Sequence, residues 1–189
     1  MALTRQDYED AAKLLNCEVE AVMAVATVES NGKGFDPEGF PLTLFEGHWF
    51  YKLTNGKYAK DYPTICYPTW TKQFYGKTWV EEKARLATAM KLDRNAAMQS
   101  ASWGMFQLMG FNYKVCGFDN VQQFVNAMCN GEKGQLQAFA KYVLGNKLDG
   151  ALRRKDWAAF AKGYNGPGYA ANKYDTKMAT TYNALKKSS

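Results

Sequence analysis

The chain has 189 residues, 47% of them hydrophobic, which suits one domain with a sizeable core and rules out a disordered polymer. Its net charge of +6 fits an acidic partner such as nucleic acid, anionic lipid or bacterial wall polymer, and 15% aromatic residues exceeds what a core of this size needs. The single histidine and four cysteines without a CxxC pair argue against a zinc site, so no metal or cofactor is expected.

In chain order, Thr4 and Asp7 mark a helix start, with Tyr8, Ala11, Ala12, Leu14 and Leu15 at helical spacing behind them. A second helix over 18–30 carries Val19, Val22, Met23, Val25, Ala26 and Val28 with almost no polar face, the pattern of a central buried helix. Asn31-Gly32-Lys33-Gly34 breaks it, Asp36-Pro37-Glu38-Gly39 reads as a turn, and Phe40–Phe45 as a short strand. A small hairpin over 33–46 follows from that reading. Residues 52–79, rich in Tyr, Thr, Pro, Gly and Trp, read as irregular. Helices are expected over 80–92, 94–102, 104–109, 120–130, 134–146, 156–163 and 174–187, giving a mainly α, single-domain α+β fold over 1–189.

The N-terminus is polar and acidic where a signal peptide needs an apolar run, and no apolar stretch reaches the roughly 18 residues of a membrane span. Synthesis in a cytoplasm with reduced thiols is the expectation, without stable membrane insertion. Lysines and arginines are dispersed, which disfavours nucleic acid as partner.

Glu29 is the candidate acid. It ends an apolar helix, where desolvation and the negative end of the helix dipole both disfavour ionisation, and Ser30 stands beside it to orient it. Glu46 follows 17 residues later, and a chain that turns back would bring the two carboxyl groups face to face, the pair that cleavage of a glycosidic bond usually employs. Phe45, His48, Trp49 and Phe50 form an aromatic wall beside it, with His48 structural or a hydrogen-bond partner to a carboxylate. Gln107 is the polar residue of an apolar run and suits a sugar amide or hydroxyl. Tyr164 and Tyr169 flank Gly166-Pro167-Gly168, which forbids a helix and can present a stacking face and a hydroxyl to a cleft. Each feature standing alone has an ordinary structural alternative: a solvated last-turn Glu29, a helix-starting Glu46, a backbone-bonded Gln107, a plain turn at 164–169. Serine and cysteine nucleophiles find no His–Asp partnership or nucleophile-elbow spacing.

Four segments in order, Val25–Ser30, Leu44–Phe50, Ser100–Gln107 and Gly163–Tyr169, resemble the lysozyme-type N-acetylmuramidase family of phage endolysins. That family is related in fold to goose-type lysozymes and to the catalytic domains of soluble lytic transglycosylases. The resemblance runs from Leu14 to Tyr182 and implies a lysozyme-like domain with its small β element beside the cleft. It also implies cleavage of the β-1,4 bond between N-acetylmuramic acid and N-acetylglucosamine in the glycan strands of peptidoglycan. By position it assigns the acid to Glu29, a cleft floor to Ser102, Trp103, Gly104 and Gln107, and the pair facing the acid to Tyr164 and Asn165. Glu46 has no counterpart in the transglycosylases and favours hydrolysis. The alternatives are a lytic transglycosylase, a non-catalytic wall-binding module, or a cationic membrane-disrupting protein. Many members of that family also carry an amino-terminal wall-binding domain; this chain is expected to lack one, its basic surface replacing that targeting by electrostatic contact with the anionic envelope, and a monomer is the default expectation. Its site of action would be the periplasm, reached from the host cytoplasm through a holin.

Overall fold

The computed structural model describes residues 3–30 and 32–188, Ser30 by its backbone alone, so Asn31 and the Ser30 side chain lie outside the described residues. Thr4 caps α1 (Arg5–Leu15): its side chain accepts from the Asp7 amide while Asp7 accepts from the Thr4 amide, satisfying two first-turn donors reciprocally. In α2 (Val19–Ser30), Ala21, Val22, Ala24, Val25 and Ala26 are all buried. A helix apolar on every side is stable only when enclosed, and α1 packs on it from the amino-terminal end of the chain.

The turn at residues 36–39 forms as expected, with Asp36 Oδ1 accepting from the Glu38 and Phe40 amides at 2.9 Å each. The predicted hairpin over 33–46 does not: a lone bridge, Phe35 to Pro41, joins its arms. The Asp36 amide donates to the Phe40 carbonyl and the Leu42 amide to the Gly34 carbonyl on either side of that bridge, and the strand that follows, β1 (Thr43–Phe45), finds its partner elsewhere. After β1 come α3 (Gly47–Leu53), which the sequence reading missed, and the irregular stretch expected up to α4 (Trp79–Leu92).

Next is α5 (Arg94–Gln99), shorter than the helix expected over 94–102, and then β2 (Ala101–Trp103) and β3 (Leu108–Met109). β2 replaces the end of the helix expected over 94–102, and a turn with β3 replaces the helix expected over 104–109. β2 pairs antiparallel with both β1 and β3, completing a three-stranded sheet. Two residues in the connecting turn, Gly104 at φ 71° and Gln107 at φ 47°, occupy the left-handed region, which no helix tolerates. The surrounding run is buried almost throughout, so its periodicity could not separate strand from helix. The remaining helices are α6 (Val121–Cys129), α7 (Glu132–Gly145), a short unexpected α8 (Asp149–Arg154), α9 (Trp157–Asn165) and α10 (Tyr174–Ser188). α10 lies along α2 and completes its enclosure. Among the described residues no helix is long and apolar enough to cross a membrane.

One buried side chain fastens the sheet to the helices. Gln135, on α7 and 1% exposed, accepts from the Met105 amide at 2.7 Å. Its amide group donates to the Gly34 carbonyl at 3.2 Å and to the Met128 carbonyl at 2.9 Å. A Cβ at Gly34 or Gly104 would collide with Gln135, so both positions need glycine for this approach. Glu132, one turn earlier, accepts from the Gly34 amide at 3.0 Å. Replacing Gln135 by leucine keeps the volume and removes three buried hydrogen bonds, leaving the Met105 amide without its acceptor while the Gly34 carbonyl keeps the Leu42 amide at 3.0 Å. We expect a loss of about 2 kcal/mol or more in unfolding free energy, measured by urea denaturation.

Candidate active site

Glu29 lies half-buried in the last turn of α2, and the end of α9 supplies a hydrogen bond to it: Asn165 Nδ2 donates to Glu29 Oε1 at 2.8 Å. Burial outweighs that bond and the more distant Lys177 ammonium, and pushes the Glu29 carboxyl up to about 7. The oxygen of the same amide, Asn165 Oδ1, is buried and has no hydrogen-bond partner among the described residues.

Glu29 and Glu46 line one groove of about 570 Å³, together with Ser102, Gln107, Tyr164 and Asn165. Glu46 stands at the junction of β1 and α3, its amide donating to the Ser100 carbonyl at 2.9 Å. It occupies the cap position of α3, yet its carboxylate makes no capping bond. Tyr75 donates to Glu46 Oε2 instead, at 2.7 Å. His48 Nδ1 sits 3.3 Å from that oxygen without the alignment of a hydrogen bond. Burial, opposed by Glu46, lowers the His48 pKa, so the ring is neutral at pH 7 and contributes shape and polarity rather than charge. His48 faces a neighbouring depression with Trp49 and Lys52 rather than the main groove.

The groove floor is self-satisfied. Ser102 donates to Gln107 Oε1 at 2.8 Å, and Gln107 Nε2 donates to the Gly104 carbonyl at 2.9 Å. The amide expected to be waiting for a sugar thus holds its own turn in place. Tyr164 likewise donates to the Phe106 carbonyl at 2.6 Å, and its ring stacks on Phe160 at 12° with Phe139 and Tyr142 edge-on. Its hydroxyl is therefore engaged within the protein rather than offered to the cleft.

The stretch 164–169, expected to be non-helical, is helical on both sides of its break. α9 runs through Asn165, Gly166 at φ 82° interrupts, and Pro167–Ala170 forms a single 3₁₀ turn. Proline is accommodated because it stands first in that turn, where its missing amide costs nothing. Tyr169 sits in this turn, outside the residues that line the groove. Tyr174, Lys177 and Tyr75 were not singled out from the sequence: the first lines the groove from the start of α10, the second acts on Glu29, the third holds Glu46. All three lie in stretches whose pattern shows only helix periodicity or its lack. Among the described residues no cluster of three or more His, Cys, Asp or Glu is placed to hold a metal.

The arrangement can donate a proton from Glu29 and present a second carboxylate within the same groove. The profile of the N-acetylmuramidase family matches residues 18–186. A crystal structure titled Burkholderia AP3 phage endolysin is similar at 40% sequence identity and a TM-score of 0.89, covering 99% of this chain and 72% of that one. No curated protein matches the chain.

The raised Glu29 pKa has a thermodynamic sign. Between about pH 4.5, the ordinary value, and about pH 7, the folded chain keeps a proton that the unfolded chain releases, so stability falls as pH rises through that window. We expect Glu29→Gln to be more stable than the parent at about pH 8, the difference vanishing near pH 4. Denaturant midpoints at the two pH values check this.

Proposed function

The chain belongs to the N-acetylmuramidase family, and from that membership we propose that Glu29 is its general acid and Glu46 its second catalytic carboxylate. It is a glycoside hydrolase of peptidoglycan, and the family does not favour the lytic transglycosylase alternative. The observation that carries the assignment is the pairing of two carboxyl groups in one groove, one of them dry enough to hold a proton near neutrality.

In the reaction Glu29 gives its proton to the bridging oxygen as the bond between N-acetylmuramic acid and N-acetylglucosamine breaks. Glu46 activates water or stabilises the developing positive charge at the anomeric carbon. Once Glu29 is anionic, the Asn165 amide and the Lys177 ammonium favour the new charge. Ser102, Gln107 and Tyr164 complete the proposed set by holding the floor rather than by free polar groups, with Ser30 next to the acid in the chain, while His48 and Tyr169, outside the groove lining, would meet only a substrate that extends beyond it.

The likeness to a phage endolysin supports a role in lysing the bacterial host at the end of infection. The proposal extends to a monomer in which residues 1–189 form one catalytic domain, whose net charge of +6 draws it to the anionic envelope. It is made in the host cytoplasm and acts in the periplasm after a holin opens the inner membrane.

Glu29→Gln should lower turbidity clearing of permeabilised Gram-negative cells by about 10²–10⁴-fold while circular dichroism stays that of the parent; full clearing by that protein would remove Glu29 as the acid. With the parent enzyme, the rate should fall as pH rises through about 7, where Glu29 loses its proton. Mass spectrometry of the released muropeptides should show hydrated reducing ends, and a pool made only of 1,6-anhydro sugars would overturn hydrolysis.

A further inference from the structure

Glu46 has two oxygens in unlike circumstances. Oε2 takes the Tyr75 hydroxyl at 2.7 Å and lies 3.3 Å from His48 Nδ1. Among the described residues no hydrogen bond or ion pair ends on Oε1. The side chain is 14% exposed and lines the groove, so a rotation of its carboxylate would decide which oxygen meets the substrate. α3 does not restrain it, because the carboxylate makes no capping bond to that helix.

Tyr75 is well built for the restraint. Its hydroxyl is kept protonated by burial and by the adjacent Glu46, which both raise its pKa, so it remains a donor across the neutral range. The Arg85 guanidinium lies 5.8 Å from the centre of its ring and 5.3 Å from that of Phe45, the residue before Glu46. Arg85 also donates to the Phe45 carbonyl at 3.2 Å and is paired with the buried Glu82. Glu82 in turn accepts from the amide of Gly76, the neighbour of Tyr75, at 3.1 Å. Both ends of the Tyr75–Glu46 bond are thus fixed to the same arginine on α4.

We propose that Tyr75 is a positioning residue that engages Glu46 Oε2 and so directs Oε1 into the groove toward the anomeric carbon or its water. The inference rests on Glu46 being the second catalytic carboxylate. A hydroxyl donor 29 residues away in the chain fixes which oxygen reacts, and a carboxylate free to turn would reach the productive angle less often.

The test is Tyr75→Phe, which keeps the ring beneath Arg85 and removes only the donor. On soluble peptidoglycan glycan fragments, with rates scaled to the folded fraction by near-ultraviolet circular dichroism, kcat should fall about tenfold and KM stay within about twofold. An unchanged kcat, or a loss confined to KM, overturns the proposal. In a Glu46→Gln background, measured at high enzyme concentration, adding Tyr75→Phe should cost nothing further; a second tenfold loss there would mean that Tyr75 acts by another route and would also overturn it. If Glu46→Gln alone is fully active, the reading of Glu46 fails and the role of Tyr75 fails with it. If Glu46→Gln is inactive while Tyr75→Phe is not, only the role of Tyr75 fails.

Discussion

Keeping a proton on a carboxyl group near neutrality demands that the group be dry, and the packing around α2 meets that demand at Glu29. A carboxylate at a helix end normally reaches water, and here it meets α9 and α10 instead. The helix has almost no polar face to lose, so enclosing it costs little and brings its last turn partly under cover. Asn165 supplies one hydrogen bond and no more. A second donor would have pulled the carboxyl back toward its ordinary value; a missing first would have left its orientation undefined.

The position of Asn165 is itself inherited. The preceding Tyr164 is gripped by three aromatic rings and by the Phe106 carbonyl, which belongs to the turn between β2 and β3. That turn is pinned from inside by Gln107 and from behind by Gln135 on α7. Groups expected to meet a sugar are therefore spent on rigidity, and among the described residues the free valences left in the groove are few: Glu46 Oε1 and the proton of Glu29. Preorganised surroundings of this kind reduce the rearrangement needed when charge moves during bond cleavage.

The sequence made the helices legible because capping residues and apolar spacing are local signals. Thr4 with Asp7, and the uninterrupted apolar face of α2, sufficed for two of them, and the acid at the end of α2 was legible for the same reason. The sheet was not legible. Its strands hold two or three residues, and β1 pairs with a segment nearly sixty positions away, so neither alternation nor a turn signal marks it. Glu46 was visible as a residue in an aromatic setting, while its partner Tyr75 lay in an irregular stretch whose tertiary placement no spacing rule encodes. Gln135 read as one more polar residue of a helix, since nothing local distinguishes an amide facing the core from one facing solvent.

The triple attachment of Gln135 also bears on how the molecule breathes. Loops at binding grooves usually open by themselves, with little free energy, while the helices beneath stay closed. Here the floor turn, the strand-like segment at Gly34 and the end of α6 share one anchor on α7, so none of the three can lift without breaking a bond sealed from water. Deuterium would enter the Met105 amide at the pace of the larger unit to which α7 belongs, and the catalytic floor would behave in solution as part of the core.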